Sequence, residues 1–180
     1  FFEESSLLYS ASSDSTLRIW DLRQRNSSHI YKGGGDEIWT ASANRNGDQI
    51  AVGIGSKVRL WDHRSRKSLF TYDEAHTEDV TQVRFHPKNS SALVTASVDG
   101  LMCILDTSKS DLDDLITSVL SIDVSVARLG FAGADADTVW CQTHVEGMQV
   151  WSLGSESRVW RVDDMRGVVA AAGPLQPDYL

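Results

Sequence analysis

Leu17-Arg18-Ile19-Trp20-Asp21 and Val58-Arg59-Leu60-Trp61-Asp62 are near copies of each other. Two weaker copies follow, Met102-Cys103-Ile104-Leu105-Asp106 and Met148-Gln149-Val150-Trp151-Ser152. Their Trp or Leu positions stand 41, 44 and 46 residues apart. A second pattern keeps the same period. Apolar residues recur at i, i+3 and i+5 in Ile38/Ala41/Ala43, Val80/Val83/Phe85 and Val126/Leu129/Phe131, and again at Met165/Val168/Ala170. A flat strand would alternate at i, i+2 and i+4, so the additional residue predicts a β-bulge early in each of these strands. Turn-forming stretches at 44–48, 86–89 and 132–137 separate the apolar runs. No helical period competes. Residues 111–120 could hold one helical turn, but 115–120 reads as an outer strand.

A period of about 40–45 residues with a Trp-Asp strand ending is the mark of WD40 repeats, four strands to a blade. The expected fold class is therefore all-β, a WD40-type β-propeller, incomplete here, with about four blades of about seven. Residues 1–35 form a partial first blade that lacks its inner strand, with strands near 7–12, 17–20 and 29–32. The second blade is expected over 36–73, the third over 74–121 and the fourth over 122–163, with a fifth starting in 164–180. Such an arc leaves strand edges open, so further blades are expected on both sides. The sequence begins with Phe1 instead of Met and is expected to start in mid-protein.

Composition narrows the function classes. With 17 Lys and Arg against 25 Asp and Glu, the formal charge is −8. Phosphate neutralisation needs an excess of cations, so direct nucleic-acid contact is disfavoured. No apolar run approaches the length of a membrane span, so no membrane partner is expected. Cys103 and Cys141 lie inside expected strands and lack metal-ligand spacing, which fits a reducing, cytoplasmic or nuclear setting. The sequons at Asn26 and Asn89 are read as chance.

His76, Thr95 and Asp99 are the residue types of a catalytic relay. They also have the spacing of a structural hydrogen-bond tetrad. Asp99 stands six before the Trp position, here Leu105, and four after Thr95; Ser10, Asp14 and Trp20 repeat that spacing. A catalytic site has no reason to recur at the blade period, so the tetrad is the expected role, and no catalytic residue is assigned. The second blade offers Ala51 and Gly55 at these places and the fourth Cys141 and Val145, so both are expected to rely on apolar packing. Gly33-Gly34-Gly35-Asp36 lacks the Lys-Ser/Thr of a phosphate loop and precedes a strand. His144 and Glu146 have no third ligand at metal spacing. No metal and no cofactor are expected.

Partner proteins are expected on the loop rims. Bulge residues and the residue before the turn Asp select Ser13, Trp39, Asp79, Thr81, Gln82 and Val98 on the top rim. An exposed aromatic such as Trp39 would be an anchor; the alternative is that it packs between blades. On the bottom rim, Trp-Asp-x-Arg recurs as Trp20-Asp21-Leu22-Arg23 and Trp61-Asp62-His63-Arg64. This pair resembles the box of WD40 receptors that dock on the adaptor of cullin-4 ubiquitin ligases. The resemblance implies that Arg23 and Arg64 contact the adaptor; the alternative is that each Arg caps its own loop.

One stretch carries a closer likeness. Ala75-His76-Thr77-Glu78-Asp79-Val80-Thr81-Gln82-Val83-Arg84-Phe85-His86-Pro87 and Ser97-Val98-Asp99-Gly100-Leu101 are similar to the family of WD repeat-containing protein eighty-nine and its plant relatives. Asp113-Asp114-Leu115, Thr143-His144 with Glu146-Gly147, and Asp163 to Val169 continue the match in order. The family carries Asp where this chain has Val145, which implies a looser turn there. The resemblance implies a propeller about twice this length, no catalytic residues, and a scaffold role in a multiprotein assembly linked in some relatives to ribosome production.

Overall fold

The computed structural model describes residues 7–24, 26–109, 111 and 113–171. The chain forms four antiparallel sheets in sequence order. The first sheet holds β1 (Leu7–Ala11), β2 (Thr16–Asp21) and β3 (Asn26–Lys32). The second holds β4 (Ile38–Ala43), β5 (Gln49–Ile54), β6 (Lys57–Asp62) and β7 (Lys67–Tyr72). The third holds β8 (Val80–Phe85), β9 (Ala92–Ser97), β10 (Leu101–Asp106) and β11 (Ile116–Ser121). The fourth holds β12 (Val126–Ala132), β13 (Thr138–Thr143), β14 (Met148–Ser152) and β15 (Ser157–Val162). Every neighbour is joined by a hairpin, so each sheet is one meander, the blade of a propeller.

The inner strands β4, β8 and β12 are each bulged after their first residue, between Ile38 and Thr40, Val80 and Gln82, and Val126 and Arg128. Bulges place one residue out of the pleat, which explains the i, i+3, i+5 pattern. A second bulge recurs in all four sheets. Ladder pairing skips a residue opposite the steps Ile19/Trp20, Leu60/Trp61, Ile104/Leu105 and Val150/Trp151. The sequence pattern did not predict this one, because the skipped residues lie in outer strands that carry no apolar period.

The core is three slabs, each filled from two adjoining sheets. Leu17, Ile19 and Tyr31 meet Ile38, Ile50, Val52 and Trp61. Ala51, Val58 and Leu60 meet Val83, Phe85, Leu93 and Leu105. Val94, Met102 and Leu120 meet Leu129, Val139, Cys141 and Trp151. Each fully buried aliphatic side chain contributes about 1.5–3 kcal/mol, so sheet-on-sheet packing dominates the stability. Gly53 permits the second slab, since a Cβ there would lie 2.8 Å from Val80 Cγ1. Hydroxyls stitch the inner strands across blades: Val83 N donates to Thr40 Oγ1 (3.2 Å), Phe85 N to Ser42 Oγ (3.1 Å), and Thr81 Oγ1 to Val126 O (2.6 Å).

The expected inner strand at Met165/Val168/Ala170 is a correction. Met165–Ala171 forms a short helix, α1, with no buried residue. A lone inner strand would have no described ladder partner, so the backbone satisfies its polar groups locally, with Val168 N on Asp164 O. The spacing i, i+3 fits a helix turn as well as a bulged strand, which is why the sequence misled. Residues 172–180 of the expected fifth blade lie outside the described residues.

Candidate functional site

The structure brings His76, Thr95 and Asp99 together. His76 follows β7 in the loop between blades, Thr95 lies in β9, and Asp99 sits in the β9–β10 turn. Both side chains of the His76–Asp99 pair are buried, at 0% and 5% exposure. Asp99 Oδ2 lies 3.0 Å from His76 Nδ1, and Thr95 Oγ1 lies 2.9 Å from His76 Nε2. Burial pushes the His76 pKa below 6.5, and Asp99 opposes that only in part. A neutral ring facing a carboxylate carries its proton on Nδ1, so Nδ1–H donates to Asp99 and Nε2 accepts from the Thr95 hydroxyl. Asp99 also accepts from Thr77 N (3.1 Å) and Leu101 N (2.9 Å). This cage ties the loop before β8 to the β9–β10 turn. Leu105, at 0% exposure, provides no donor to extend it.

The other blades solve the same problem differently. In the first, Trp20 Nε1 donates to Ser10 Oγ at 2.8 Å, but Asp14 is a correction. Asp14 is exposed and instead accepts from Thr16 and Arg18 in its own turn. No described His stands between Ser10 and Asp14 to draw the carboxylate inward. In the second blade, Val52, not Ala51, faces the first blade, because β5 and β6 turn tightly between Ile54 and Lys57. Here Trp61 stacks on Tyr31 at 4.9 Å, and Tyr31 Oη lies 3.0 Å from His63 Nδ1.

The fourth blade also departs from apolar packing alone. Trp151 Nε1 donates to Gln149 Oε1 (3.2 Å), and Gln149 Nε2 donates to Ile122 O (2.9 Å). A repeated device emerges. In the second, third and fourth blades, the residue two before the Trp position reaches the loop joining its blade to the one before. Arg59 Nη1 donates to Gly33 O at 2.7 Å, Cys103 Sγ to Ala75 O at 3.4 Å, and Gln149 to Ile122 O. The sequence concealed this because Arg, Cys and Gln share no class except the capacity to donate.

On the top rim, Trp39 is 58% exposed at the bulge of β4 and does not pack between blades. Val98 is exposed in the β9–β10 turn, and Ser13 and Asp79 are exposed in their loops. Thr81 and Gln82 are half-buried. Thr81 is spent on Val126 O, and Gln82 Nε2 folds back to Thr81 O at 2.8 Å. On the bottom rim, Arg23 and Arg64 are 77% and 75% exposed. Asp21 and Asp62 cap their own turns, accepting from Arg23 N and Ser65 N at 2.9 Å each. The guanidinium groups reach only distant carboxylates, Asp21 at 3.8 Å and Asp48 at 3.9 Å. Among the described residues no group of three His, Cys, Asp or Glu could hold a metal. His144 Nδ1 lies 3.1 Å from Ser125 Oγ, and Glu146 pairs with Arg166 at 2.6 Å. No described helix is long and apolar enough to cross a membrane.

Comparison with known proteins matches this geometry. The family model "WD domain, G-beta repeat" matches residues 1–21 and 66–106. The chain is 39% identical over 153 residues to the WD repeat-containing protein 89 homolog of Dictyostelium discoideum, across 85% of this chain and 42% of that protein. It is 39% identical over 150 residues to WD repeat-containing protein GTS1 of Arabidopsis thaliana, across 81% and 38%. It is 33% identical over 98 residues to nucleoporin Nup43 of Mus musculus, across 51% and 26%. The chain thus spans about two fifths of the length of the first two relatives. With the repeat match, the four meander sheets and the buried His–Thr–Asp cage, the chain is a WD40-repeat protein of β-propeller architecture, similar to WD repeat-containing protein 89 homolog and its plant counterpart.

Proposed function

We propose that the chain is a non-catalytic scaffold that binds partner proteins through the top rim around Trp39. WD40-repeat proteins typically act as scaffolds, and the relatives support that role here. The observation that carries the reading is the exposure of Trp39, 58% on an otherwise well-packed inner strand. A soluble sheet gains nothing by presenting an indole to water, whereas indoles dominate binding hot spots. The relay-like cage is closed on every side by backbone and packing, and its His is neutral and buried, so it serves the fold.

The test is affinity capture with the full chain against Trp39→Ala. A specific partner retained by the parent and lost from the variant, at equal thermal stability, supports the reading. Equal capture by both sinks it. Assembly factors of ribosome production are the partner class that the family likeness suggests, in the cytoplasm or nucleus; a relative named as a nucleoporin supports the nuclear setting.

A second reading rests on Arg23 and Arg64, both exposed and loosely held on successive blades. It makes the chain a substrate receptor of a cullin-4 ligase. Binding of the purified adaptor, abolished by Arg23→Ala with Arg64→Ala, would support it; indifference of the adaptor to both arginines would remove it.

A further inference from the structure

We infer that the Trp39 rim takes a basic, extended peptide segment of its partner, with a Lys or Arg side chain against the indole. The inference rests on the reading of this rim as the partner surface and adds the chemistry of what binds. Four carboxylates stand exposed in two neighbouring loops, Asp36 and Glu37 in the loop leading into β4, which carries Trp39, and Glu78 and Asp79 in the loop leading into β8. None of their side chains makes an ion pair or hydrogen bond among the described residues. Other acids are paired, Asp14 with Arg18, Asp48 with Arg64, Asp135 with Lys88 and Glu146 with Arg166, while Asp113 and Asp114 on the third blade share the free state of the rim acids among the described residues and serve in the control below.

The four also belong to one continuous surface. Gly55 N donates to Glu37 O, Val80 N to Gly55 O, and Val98 N to Asp79 O, at 3.4, 2.7 and 3.0 Å. Asp36 Cγ and Asp79 Oδ1 each lie 4.0 Å from the point where a Cβ on Gly55 would stand, so two carboxylates flank that turn with no side chain between them. Lys32 and Lys57 border the same rim, but neither pairs with these acids. Exposed Val98 adds an apolar flank. Uncompensated negative charge on the rim that also presents the exposed Trp39 attracts cations in two ways, through the summed field and through the ring face. Nucleic acid would be repelled by the same field.

The test is fluorescence anisotropy with a short labelled Lys/Arg-rich peptide and its charge-swapped Glu counterpart, against the full chain. The basic peptide should bind and the acidic one should not. Asp36→Asn, Glu37→Gln, Glu78→Gln and Asp79→Asn combined should weaken binding roughly tenfold or more, and Trp39→Ala should weaken it by a comparable factor. A control that neutralises Asp111, Asp113, Asp114 and Asp135 instead should leave binding unchanged. Equal loss in the control would show that net charge alone attracts the peptide and would overturn the inference. So would binding indifferent to Trp39. Concentration-dependent self-association abolished by the four rim changes would place a second copy on the rim and also overturn it. Partner capture that still depends on Trp39 while basic peptides fail would sink this inference and leave the scaffold reading standing.

Discussion

Replacing Asp99 with alanine removes one carboxylate and leaves three donors facing its former place. Thr77 N and Leu101 N lie near the surface, so water can recover much of what they lose. His76 cannot recover in this way, because its side chain is 0% exposed. A buried donor left without an acceptor costs about 1–3 kcal/mol, and charge-assisted bonds sit at the upper end. Adding a smaller share for the two backbone donors gives a loss of about 2–4 kcal/mol. For a chain of this size each kcal/mol lowers the melting temperature by about 2–4 °C. The expected fall is therefore about 4–16 °C by differential scanning fluorimetry or circular dichroism, with the β spectrum retained. Asp14→Ala is the matched control. That carboxylate is exposed and bonds only with its own hairpin, so its loss should leave the melting temperature close to that of the parent. Equal shifts for the two variants, or none for Asp99→Ala, would refute the assignment of the cage as a structural clamp.

Stability should also depend on pH through His76. Its folded pKa lies below 6.5, because burial disfavours the charged ring. Stability from this group is present above about pH 6.5 and is lost as pH falls through the lower folded value. Urea unfolding should show a decline on acidification that His76→Phe reduces; the same slope in both would contradict it. Burial lowers His29 and His63 too, so part of the decline will persist in that variant. Gln149→Met should cost about 1–3 kcal/mol by stranding Trp151 Nε1 and Ile122 O, read from denaturant midpoints; a neutral effect would contradict a stabilising role for the Gln149 bonds in the fourth blade. Burial pushes the Cys103 thiol up to about 12 and the Cys141 thiol up to about 11. A maleimide near neutral pH should leave both unlabelled in the folded chain and label both in denaturant; rapid labelling of the folded chain would contradict their burial.

The repeat was legible because its signal is redundant. Trp20 and Trp61 mark strand ends, and Val80, Val83 and Phe85 mark a bulge at the same period. The Thr95–Asp99 geometry was legible for a similar reason, since a fixed offset between a hairpin strand and its turn leaves little freedom, and His76 reaches it from the loop before β8. Asp14 had the same offset and went elsewhere. Offset cannot reveal whether a His from the preceding loop will arrive to draw the acid in. Ala51 was misplaced because a one-residue change in turn length flips a strand's faces, and the tight Ile54–Lys57 turn does this. Gln149 was missed because a buried amide leaves no periodic trace. Trp39 was legible as a position on the rim, but only the structure shows how far it stands in water.

Photo-crosslinking from position 39 tests the central claim most directly. A photoreactive residue in place of Trp39, with a matched one at Arg64 on the opposite rim, would be activated in cells and the adducts identified. The account predicts a discrete protein adduct from position 39 whose contacting segment is rich in Lys and Arg. Adducts from position 64 alone, or a nonspecific smear from both, would contradict it.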